Sequence, residues 1–331
     1  LTRVNHYAVA TVDGDVIRAS EGDEAAFANA LKLEIDKVTK EFARRLSWKM
    51  FREGYGELGQ ISTDPDGALT SHTMSPIDAI TNVEIGQTHE FSLTVSANTL
   101  RAGGPYTVSG VDRALGVVTY TAAVAAAVAA NDTVFIAGDR ENSATPARRD
   151  IAGLEAWFPR AAPAAAAYFG VDRSVDPTRL GGQRIDSTGV PLEEAILDVA
   201  MTAGRESEAP THVFMNWRRW TQLQKSLHTR GELSIDQVKL TATIGFSAIS
   251  VNAGGDAPMR VFHDRNCQNN RLWGINMPSL KLHSIGEPID FIDEDELRLL
   301  RASDRDRFEA RLRFHGNLAC NAPGLNVNAL V

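Results

Sequence analysis

The segment VFMNWRRWTQL, residues 213–223, decides the fold of this chain. Its first residues continue from His212 as a short apolar run, which is typical of a buried strand. Asn216 follows at once, and asparagine is favoured at the N-cap of a helix. An apolar stripe at helical spacing then runs through Trp220, Leu223 and Leu227. The segment therefore predicts a buried strand that passes directly into an amphipathic helix, which ends near Gly231.

The sequence on both sides extends this pattern into a module of alternating helices and strands. Pro191 suits the first turn of a helix, and the apolar stripe that follows it predicts a helix that ends at Gly204. Residues 246–251 and 259–263 are predicted strands. Residues 141–190 are rich in proline and alanine and are predicted to be mostly loop.

Residues 23–52 form the clearest periodic segment of the chain. Its apolar positions, at steps of three and four, are Phe27, Leu31, Ile35, Val38, Phe42, Leu46 and Met50. This spacing predicts one continuous helix of about seven turns, which at about 1.5 Å per residue is about 45 Å long. Gly54 and Gly56 are expected to end it. A helix with so narrow an apolar stripe is expected to lie across a sheet or to serve as a spine.

Other segments are predicted to be strands. Residues 4–19 alternate around Asp13-Gly14, which predicts a hairpin that projects from the body and needs a partner surface to be ordered. Residues 64–140 predict a small all-β module, sandwich-like or barrel-like, because glycine turns recur between strand-like runs. These runs are 90–95, 106–111, 116–121 and 133–137.

The last third of the chain is predicted to contain more strands. Residues 291–301 are one such run, and residues 308–314 alternate strictly between apolar and charged side chains. That alternation predicts a strand with one buried and one solvated face. Long helix, all-β module and α/β module together place the chain in the α+β class.

The composition argues against several kinds of function. A formal net charge of −8 over 331 residues disfavours an electrostatic binder of nucleic acid. The longest apolar run, residues 120–130, is too short to span a membrane. Two cysteines, Cys267 and Cys320, are too few for a disulfide framework.

The chain offers no convergent catalytic or metal-binding pattern. Cys267 lies close in sequence to His263 and Asp264, whereas catalytic Cys and His are usually distant in sequence, so Cys267 is interpreted as a small buried hydrophobe. The acidic run over 290–296 lacks the alternating ligands and central glycine of a calcium loop. It is interpreted as a solvated turn or, second, as a carboxylate patch at an interface. We therefore predict no enzyme activity and no catalytic, metal-binding or cofactor-binding residues.

The order of these elements resembles the major capsid proteins of tailed bacteriophages, the shell proteins of the Hong Kong ninety-seven type. The resemblance covers nearly the whole chain through diffuse motifs. In chain order, they are a hairpin, a long helix that closes in Arg52-Glu53-Gly54-Tyr55-Gly56, Gly153-Leu154, the segment 213–223, Val261-Phe262-His263-Asp264 and an apolar tail over 317–324.

The resemblance implies a phage capsid fold in four parts. They are an extended-loop hairpin at 1–20, a peripheral domain with the spine helix at 21–63 and 281–317, an inserted β domain at 64–150, and a linker with the axial domain at 151–280 and 318–331. A typical member also has an N-terminal arm and the outgoing half of the extended loop before the spine helix. We therefore expect an upstream segment that is either cleaved during maturation or absent from this chain.

The resemblance further implies a structural protein without catalytic activity or cofactor. It would self-assemble as hexamers and pentamers into an icosahedral head shell around double-stranded DNA. Scaffold, portal and decoration proteins are the other partners implied. The location implied is the virion, with assembly in the cytoplasm of the bacterial host and no membrane. The alternative is an encapsulin-like nanocompartment shell of the same fold.

Some shell proteins of this family are welded by a bond between lysine and asparagine. Residues 1–20 contain no lysine, so we expect no such crosslink through that segment. A covalent ladder on a denaturing gel of intact particles would contradict this expectation.

Charged and aromatic residues in three segments are candidates for contacts between subunits. They are Arg3, Asp13, Asp15, Arg18, Lys37, Lys40, Arg44, Arg45, Trp217, Arg218 and Arg219. The first four lie in the predicted hairpin, which gains order only on assembly. The basic face of the long helix is either solvated or a contact. Arginine and tryptophan are enriched at interfaces, although Trp217 could instead lie in the core beside two solvated arginines.

Overall fold

The protein is described by a computed structural model over residues 2–13, 24–62, 70–206, 208–230, 249–251, 258–293, 299–302 and 306–331. Helix and sheet are mixed in these residues, as the predicted α+β class requires. The elements, in chain order, are β1 (Val4–Asp13), α1 (Glu24–Lys49), β2 (Glu57–Ile61), β3 (Ser71–Ser75), β4 (Thr88–Ser92), β5 (Tyr106–Asp112), β6 (Val117–Tyr120), β7 (Thr133–Ile136), α2 (Leu154–Trp157), β8 (Ala167–Tyr168), β9 (Val171–Asp172), β10 (Gln183–Asp186), α3 (Leu192–Gly204), β11 (His212–Met215), α4 (Trp217–Arg230), β12 (Ile249–Val251), β13 (Met259–His263), β14 (Arg271–Ile275), β15 (Leu280–Ser284), β16 (Asp290–Phe291), β17 (Leu300–Arg301), β18 (Arg307–Cys320) and β19 (Val327–Leu330).

Helix α1 occupies most of the segment that its periodicity predicts. Phe42 and Leu46 are buried, and Val38 packs partly against the same core. The opposite face is exposed at Lys37 and Lys40. The helix therefore buries one stripe against the body and leaves the other side to solvent, as an amphipathic helix does.

Strand β1 corrects the predicted hairpin. All ten of its residues pair antiparallel with β18, from Val4 opposite Gly316 to Asp13 opposite Arg307. The strand is therefore part of the body over this length, and its inward side chains Val4 and Val12 are buried. The return half of the predicted hairpin, residues 15–19, lies outside the described residues. The alternating pattern correctly predicts that β1 is a strand. Its partner strand, however, lies about three hundred residues away in sequence and not across the nearest turn.

Strand β18 organises a five-stranded sheet. It pairs with β1 on one side and with β15, β16 and β17 along its length, all antiparallel. The strand is longer than the predicted 308–314, because it runs to Cys320. Its inward residues Leu312 and Phe314 join the core that α1 covers.

A second sheet is mixed and has the strand order β10-β19-β14-β11-β13-β12. Helices α3 and α4 share a hydrophobic core with it through Ile196, Val199, Trp220 and Leu223. Strand β14 is buried along its whole length. Its Leu272 belongs to this core, whereas Trp273 belongs to the core beneath α1. The two sheets are therefore packed into one body through β14.

Residues 213–223 fold as predicted, as a buried strand that passes directly into a helix. Strand β11 is followed by Asn216, whose Oδ1 accepts a hydrogen bond of 2.9 Å from the backbone N–H of Arg218 in α4. This is the N-cap bond that the sequence predicts. The Nδ2 of Asn216 also donates to the carbonyl oxygen of Cys267 at 2.8 Å, which ties the helix start to the loop after β13.

A closed barrel of six strands, in the order β2-β3-β6-β5-β4-β7, lies between α1 and α2 in the chain. Four of its strands lie where the sequence predicts strands, whereas β2 and β3 were missed. The barrel thus begins at Glu57 and not at residue 64. Strand β3 escaped prediction because its sequence SHTMS is polar, although His72 and Met74 point into the barrel core.

The chain enters and leaves the barrel at one place. The backbone N–H of Asp150 donates to the carbonyl oxygen of Gly54 at 3.1 Å. Gly56 approaches the outgoing chain so closely that a β-carbon added to it would lie 3.0 Å from Cβ of Asp139. Trp48, at the end of α1, is part of the barrel core. The barrel therefore rests on the end of α1.

Candidate assembly surfaces and the junction beneath the barrel

The end of α1, the barrel and the body meet in a region that we call the junction, which comprises residues 48–57, 139, 148–155 and 268–271. Gly153 is its tightest point, because a β-carbon there would lie 2.5 Å from the carbonyl oxygens of both Lys49 and Met50. The backbone N–H of Leu154 donates to the carbonyl oxygen of Met50 at 2.7 Å. Close backbone packing therefore requires the glycine of Gly153-Leu154, one of the motifs behind the resemblance.

One side of the junction holds a buried ion pair. Lys49 Nζ lies 2.6 Å from Asp150 Oδ2, and His6 Nε2 lies 2.8 Å from Asp150 Oδ1. Burial alone would raise the pKa of Asp150, but Lys49 and His6 outweigh it and hold this pKa at about 2. The pKa of Lys49 is raised by Asp150 and Asp139 despite its own burial. The pair ties α1 to the chain that returns from the barrel and to β1.

The other side of the junction holds carboxylates around a buried arginine. Arg52 stacks on the Trp48 ring, with its guanidinium carbon 3.7 Å from the ring centroid. Glu57 Oε1 accepts a hydrogen bond of 2.9 Å from the backbone N–H of Glu53. Glu155 accepts from Nε2 of Gln268 at 2.8 Å. These groups line a cavity of about 600 Å³ between the barrel and the mixed sheet.

Burial perturbs the carboxyl groups of this cavity. It raises the pKa of Glu57 to about 7. It also raises the pKa of Glu53 to about 8, with additional repulsion from Glu155 and Glu57. Near neutral pH, Glu53 is therefore mostly protonated and Glu57 about half protonated, whereas ordinary glutamates are ionised.

The predicted contact residues of α1 fall into two groups. Lys37 and Lys40 are exposed, and Lys37 lies 3.9 Å from Glu34 on its own helix. Arg44 instead donates to Glu84 Oε1 in the barrel at 3.1 Å. Arg45 donates to Glu41 one turn earlier at 2.7 Å. The first two are thus available to a partner, whereas the last two already make contacts within the chain.

The arginines after Asn216 also make contacts within the chain. Arg218 donates from Nη2 to Asp78 Oδ1 of the barrel at 3.2 Å. Arg219 donates to the carbonyl oxygens of Asn269 and Val331 at 2.9 and 3.0 Å. At the start of α4, 49% of the surface of Trp217 is exposed. The interpretation of this tryptophan as a core residue is therefore wrong.

The charged residues predicted near the N-terminus are only partly described. Arg3 and Asp13 are both exposed, at opposite ends of β1. Asp15 and Arg18 lie outside the described residues. Between the first two, the solvent face of β1 carries Tyr7 and Val9, exposed by 58% and 46%.

These apolar side chains were missed as candidates. In the sequence, Tyr7 and Val9 occupy outward positions of the alternating strand. A large apolar residue at an outward position is the sequence signal that indicates a surface covered by a partner. Leu197 and Met201 form a similar exposed pair on α3. Apolar side chains on a solvent face are typical of surfaces that are covered in an assembly.

The cysteine cluster weighed for chemistry does not form a site, and residues 294–296 of the acidic run lie outside the described residues. Cys267 is buried, and burial raises the pKa of its thiol far above its ordinary value, so it is not a nucleophile at neutral pH. Asp290 pairs with Arg313 across the five-stranded sheet, at 3.5 Å. In the part of the chain that the structure describes, no group of three or more His, Cys, Asp or Glu side chains could hold a metal ion. Within the same residues, no helix is both long and apolar enough to cross a membrane.

No protein-family model matches this sequence, and no curated protein matches it. Among solved structures, the chain is similar to the virus-like particle from Pyrococcus furiosus, with 13% identity and a TM-score of 0.28 over 44% of this chain. That match spans about half, 54%, of the particle protein. The chain is also similar to the capsid of cyanophage A-1(L), with 12% identity and a TM-score of 0.46 over 96% of this chain and 74% of that chain.

Proposed function

We propose that this protein is the subunit of a closed protein shell, the major capsid protein of a tailed bacteriophage. It acts structurally and without catalysis. Many copies associate as hexamers and pentamers into an icosahedral head around double-stranded DNA. Its formal net charge of −8 suits a wall that must lie near DNA without binding it tightly.

The observation that carries this proposal is that the body contains two sheets. Each sheet is built from segments that are far apart in the chain. The long helix α1 covers the sheet of β1 and β18, which we assign to the peripheral domain with its spine helix. Helices α3 and α4 pack with the mixed sheet, which corresponds to the axial domain. Because β14 contributes to both cores, the two parts form one body that presents different surfaces, as subunit contacts that close into rings require.

The surfaces between subunits are proposed from exposure. Trp217 is a large aromatic side chain half exposed at the start of α4, on the axial part. Tyr7 and Val9 are exposed on the solvent face of β1, on the peripheral part. Lys37 and Lys40 extend a charged surface on α1. Exposed aromatic side chains are enriched at protein interfaces, and polar side chains surround the buried part of such interfaces.

The barrel is proposed to be an inserted domain that stabilises the capsomer. Its attachment supports this role, because the chain enters beside Gly54 and leaves beside Asp150. A variant in which Gly56 is joined to Asp139 would remove the barrel with little change in the path of the chain. We expect its mixed sheet to fold and its particles to be less stable than those of the wild type. Particles of unchanged yield and stability would contradict this role.

Sedimentation velocity on the full chain tests the shell function. We expect a fast boundary that grows with protein concentration at the expense of single subunits. Nuclease-protected DNA in that fraction supports a phage head, whereas a packaged protein supports a nanocompartment. A single slow boundary at all salt and protein concentrations would contradict both.

A further inference from the structure

The cavity of the junction has a composition that packing alone does not explain. Besides Asp78, which pairs with Arg218, three carboxyl groups line it, those of Glu53, Glu57 and Glu155. They come from the turn after α1, from the first strand of the barrel and from α2. The cavity therefore lies where the barrel, the long helix and the mixed sheet all meet.

The nearest buried cation, Arg52, offsets these groups only in part: it lowers the pKa of Glu57, but burial outweighs it. The guanidinium of Arg52 lies flat on Trp48, and its Nε and Nη2 make no hydrogen bond to the described residues. Glu57 Oε2 is buried and likewise makes none. Glu57 itself is only 7% exposed, so water screens its charge weakly.

Arg271, on the side of the cavity formed by the mixed sheet, pairs with Glu155 and not with Glu53 or Glu57. Arg271 Nη2 lies 3.5 Å from Glu155 Oε1, and its Nη1 donates to Asn328 at 3.2 Å. Glu155 is further held by Gln268. Glu155 is thus held by Arg271 and Gln268, and among the described residues the lining carboxyl groups without an ion pair are those of Glu53 and Glu57, next to the barrel.

We propose that the cavity is a proton-operated latch between the barrel and the body. When Glu53 and Glu57 carry protons, they add no negative charge to the barrel side of the junction, and the barrel is held firmly. When both lose their protons, two negative charges face Glu155 across the cavity, and the barrel attachment loosens. The latch is a property of the single chain and does not depend on the proposed shell function.

The direction of the pH dependence follows from the pKa values. Burial raises the pKa of Glu57 to about 7 and that of Glu53 to about 8, both from an ordinary value of 4.5. Between about pH 4.5 and about pH 8, the folded junction therefore binds more protons than the unfolded chain. Its stabilising contribution is therefore complete below about pH 4.5 and is lost as the pH rises through 7 and 8.

Other charged or titratable groups face the two glutamates from every element around the cavity. They are Arg52, Tyr55, Asp78, Arg148, Glu155, Arg160, Arg218 and Arg271. Arg148 and Arg271 lower the pKa of Glu53, but burial and the two neighbouring carboxylates outweigh them. The arginines remain charged throughout the pH range concerned, so only the carboxyl groups switch.

Hydrogen exchange on the full chain tests the latch. Amide protection of residues 51–57 is compared between about pH 6 and about pH 9, after correction for the intrinsic rate. We expect the opening of these amides to increase at least tenfold, because one pKa unit corresponds to about a tenfold change. Barrel-core amides such as Val134 serve as an internal reference and should change little.

In the double variant Glu53→Gln and Glu57→Gln, both side chains are uncharged at every pH, as the protonated glutamates are. Its junction should stay protected up to about pH 9, whereas the exposed-surface control Glu34→Gln should behave as the wild type. If the double variant does not fold, the single variant Glu53→Gln should show about half of the wild-type pH response on a logarithmic scale. Wild-type protection that is independent of pH, or an equal pH response in the variants, would overturn the proposal.

Discussion

Lys49 Nζ lies 2.6 Å from Asp150 Oδ2, so the last residue of α1 is joined to the chain that returns from the barrel. The two residues are about a hundred positions apart in sequence, with the whole barrel between them. His6 binds the other carboxylate oxygen at 2.8 Å and adds β1 to the same point. One carboxylate thus holds three segments together at the base of the barrel.

Substitution of Asp150 tests this arrangement. Asp150→Asn leaves Lys49 buried without its main partner, and we expect a loss of about 3 kcal/mol in the free energy of unfolding, measured by urea titration. The pKa of Asp150 is about 2, below its ordinary value of 3.8, so the contribution should be present above about pH 4 and be lost as the pH falls towards 2.

The matched control is Glu41→Gln, which breaks the more exposed pair with Arg45. This change should lower the free energy of unfolding by less than about 1 kcal/mol. Equal effects of the two substitutions would show that the buried pair has no special role.

Gly153 is predicted to tolerate no side chain. A β-carbon there would lie 2.5 Å from two carbonyl oxygens, and backbone atoms cannot move away as a flexible side chain can. Gly153→Ala should therefore lower the free energy of unfolding by at least about 2 kcal/mol. Gly204→Ala, at the end of α3, has no atom within 4 Å of the added carbon and should be neutral or slightly stabilising. Thermal unfolding of both variants would show whether close approach at residue 153 matters.

The barrel core is predicted to weaken in acid. Burial lowers the pKa of His72 to about 4, and burial with the nearby His72 lowers that of His89 to about 3. The unfolded chain binds protons at these residues from about pH 6.5 downwards, before the folded barrel does. Barrel stability should therefore fall as the pH decreases from 6.5 towards 3, by up to about 3 kcal/mol for His72 alone.

Replacement of His72 isolates this effect. His72→Phe should flatten the acid limb of the pH profile, followed by near-ultraviolet circular dichroism of Tyr106 and Tyr120, which pack in the same core. His283→Gln, on the exposed strand β15, should leave the profile unchanged. An unaltered acid limb in the phenylalanine variant would rule out His72 as its cause.

Two neighbouring residues of α4 should separate assembly from folding. Trp217 is half exposed, so Trp217→Ala should raise the concentration needed for assembly at least about tenfold and leave the melting temperature unchanged. Arg219 ties α4 to the backbone of Asn269 and Val331, so Arg219→Ala should lower the melting temperature instead. Light scattering and thermal unfolding on both variants measure the two effects. A melting temperature lowered equally by both would remove Trp217 from the proposed interface.

Local sequence patterns were sufficient to predict the helices whose periodicity, caps or terminating residues lie within the helix itself or next to it. Periodicity located α1, and the proline, glycine and asparagine signals located α3 and the start of α4. The hydrogen bond from Asn216 to the N–H of Arg218 confirms the predicted cap. These features depend on residues within a few positions of one another, which a sequence displays directly.

Long-range pairing could not be predicted in the same way. Strand β1 alternates as a half-buried strand should, yet nothing local identifies residues 307–316 as its partner. Strand β3 was missed because its buried residues include a histidine, and β2 because its run is short and contains Gly59. In each case tertiary packing determined the structure and local propensity did not.

The candidate contacts show the same limit. Arg44, Arg218 and Arg219 were chosen for charge and neighbouring residues, but their partners within the chain are distant in sequence. Trp217 is half exposed, and only the folded structure gives exposure. The junction cavity was likewise invisible in sequence, because its glutamates lie in three different elements.

Negative-stain electron microscopy of the largest assembly that the full chain forms tests the shell proposal most directly. The account predicts closed particles of uniform size, or rings of five and six subunits where closure is incomplete. Particles should be lost on Trp217→Ala at a protein concentration that assembles the wild type. A field of single subunits or dimers, at every salt and protein concentration tried, would contradict the shell and leave the fold without that function.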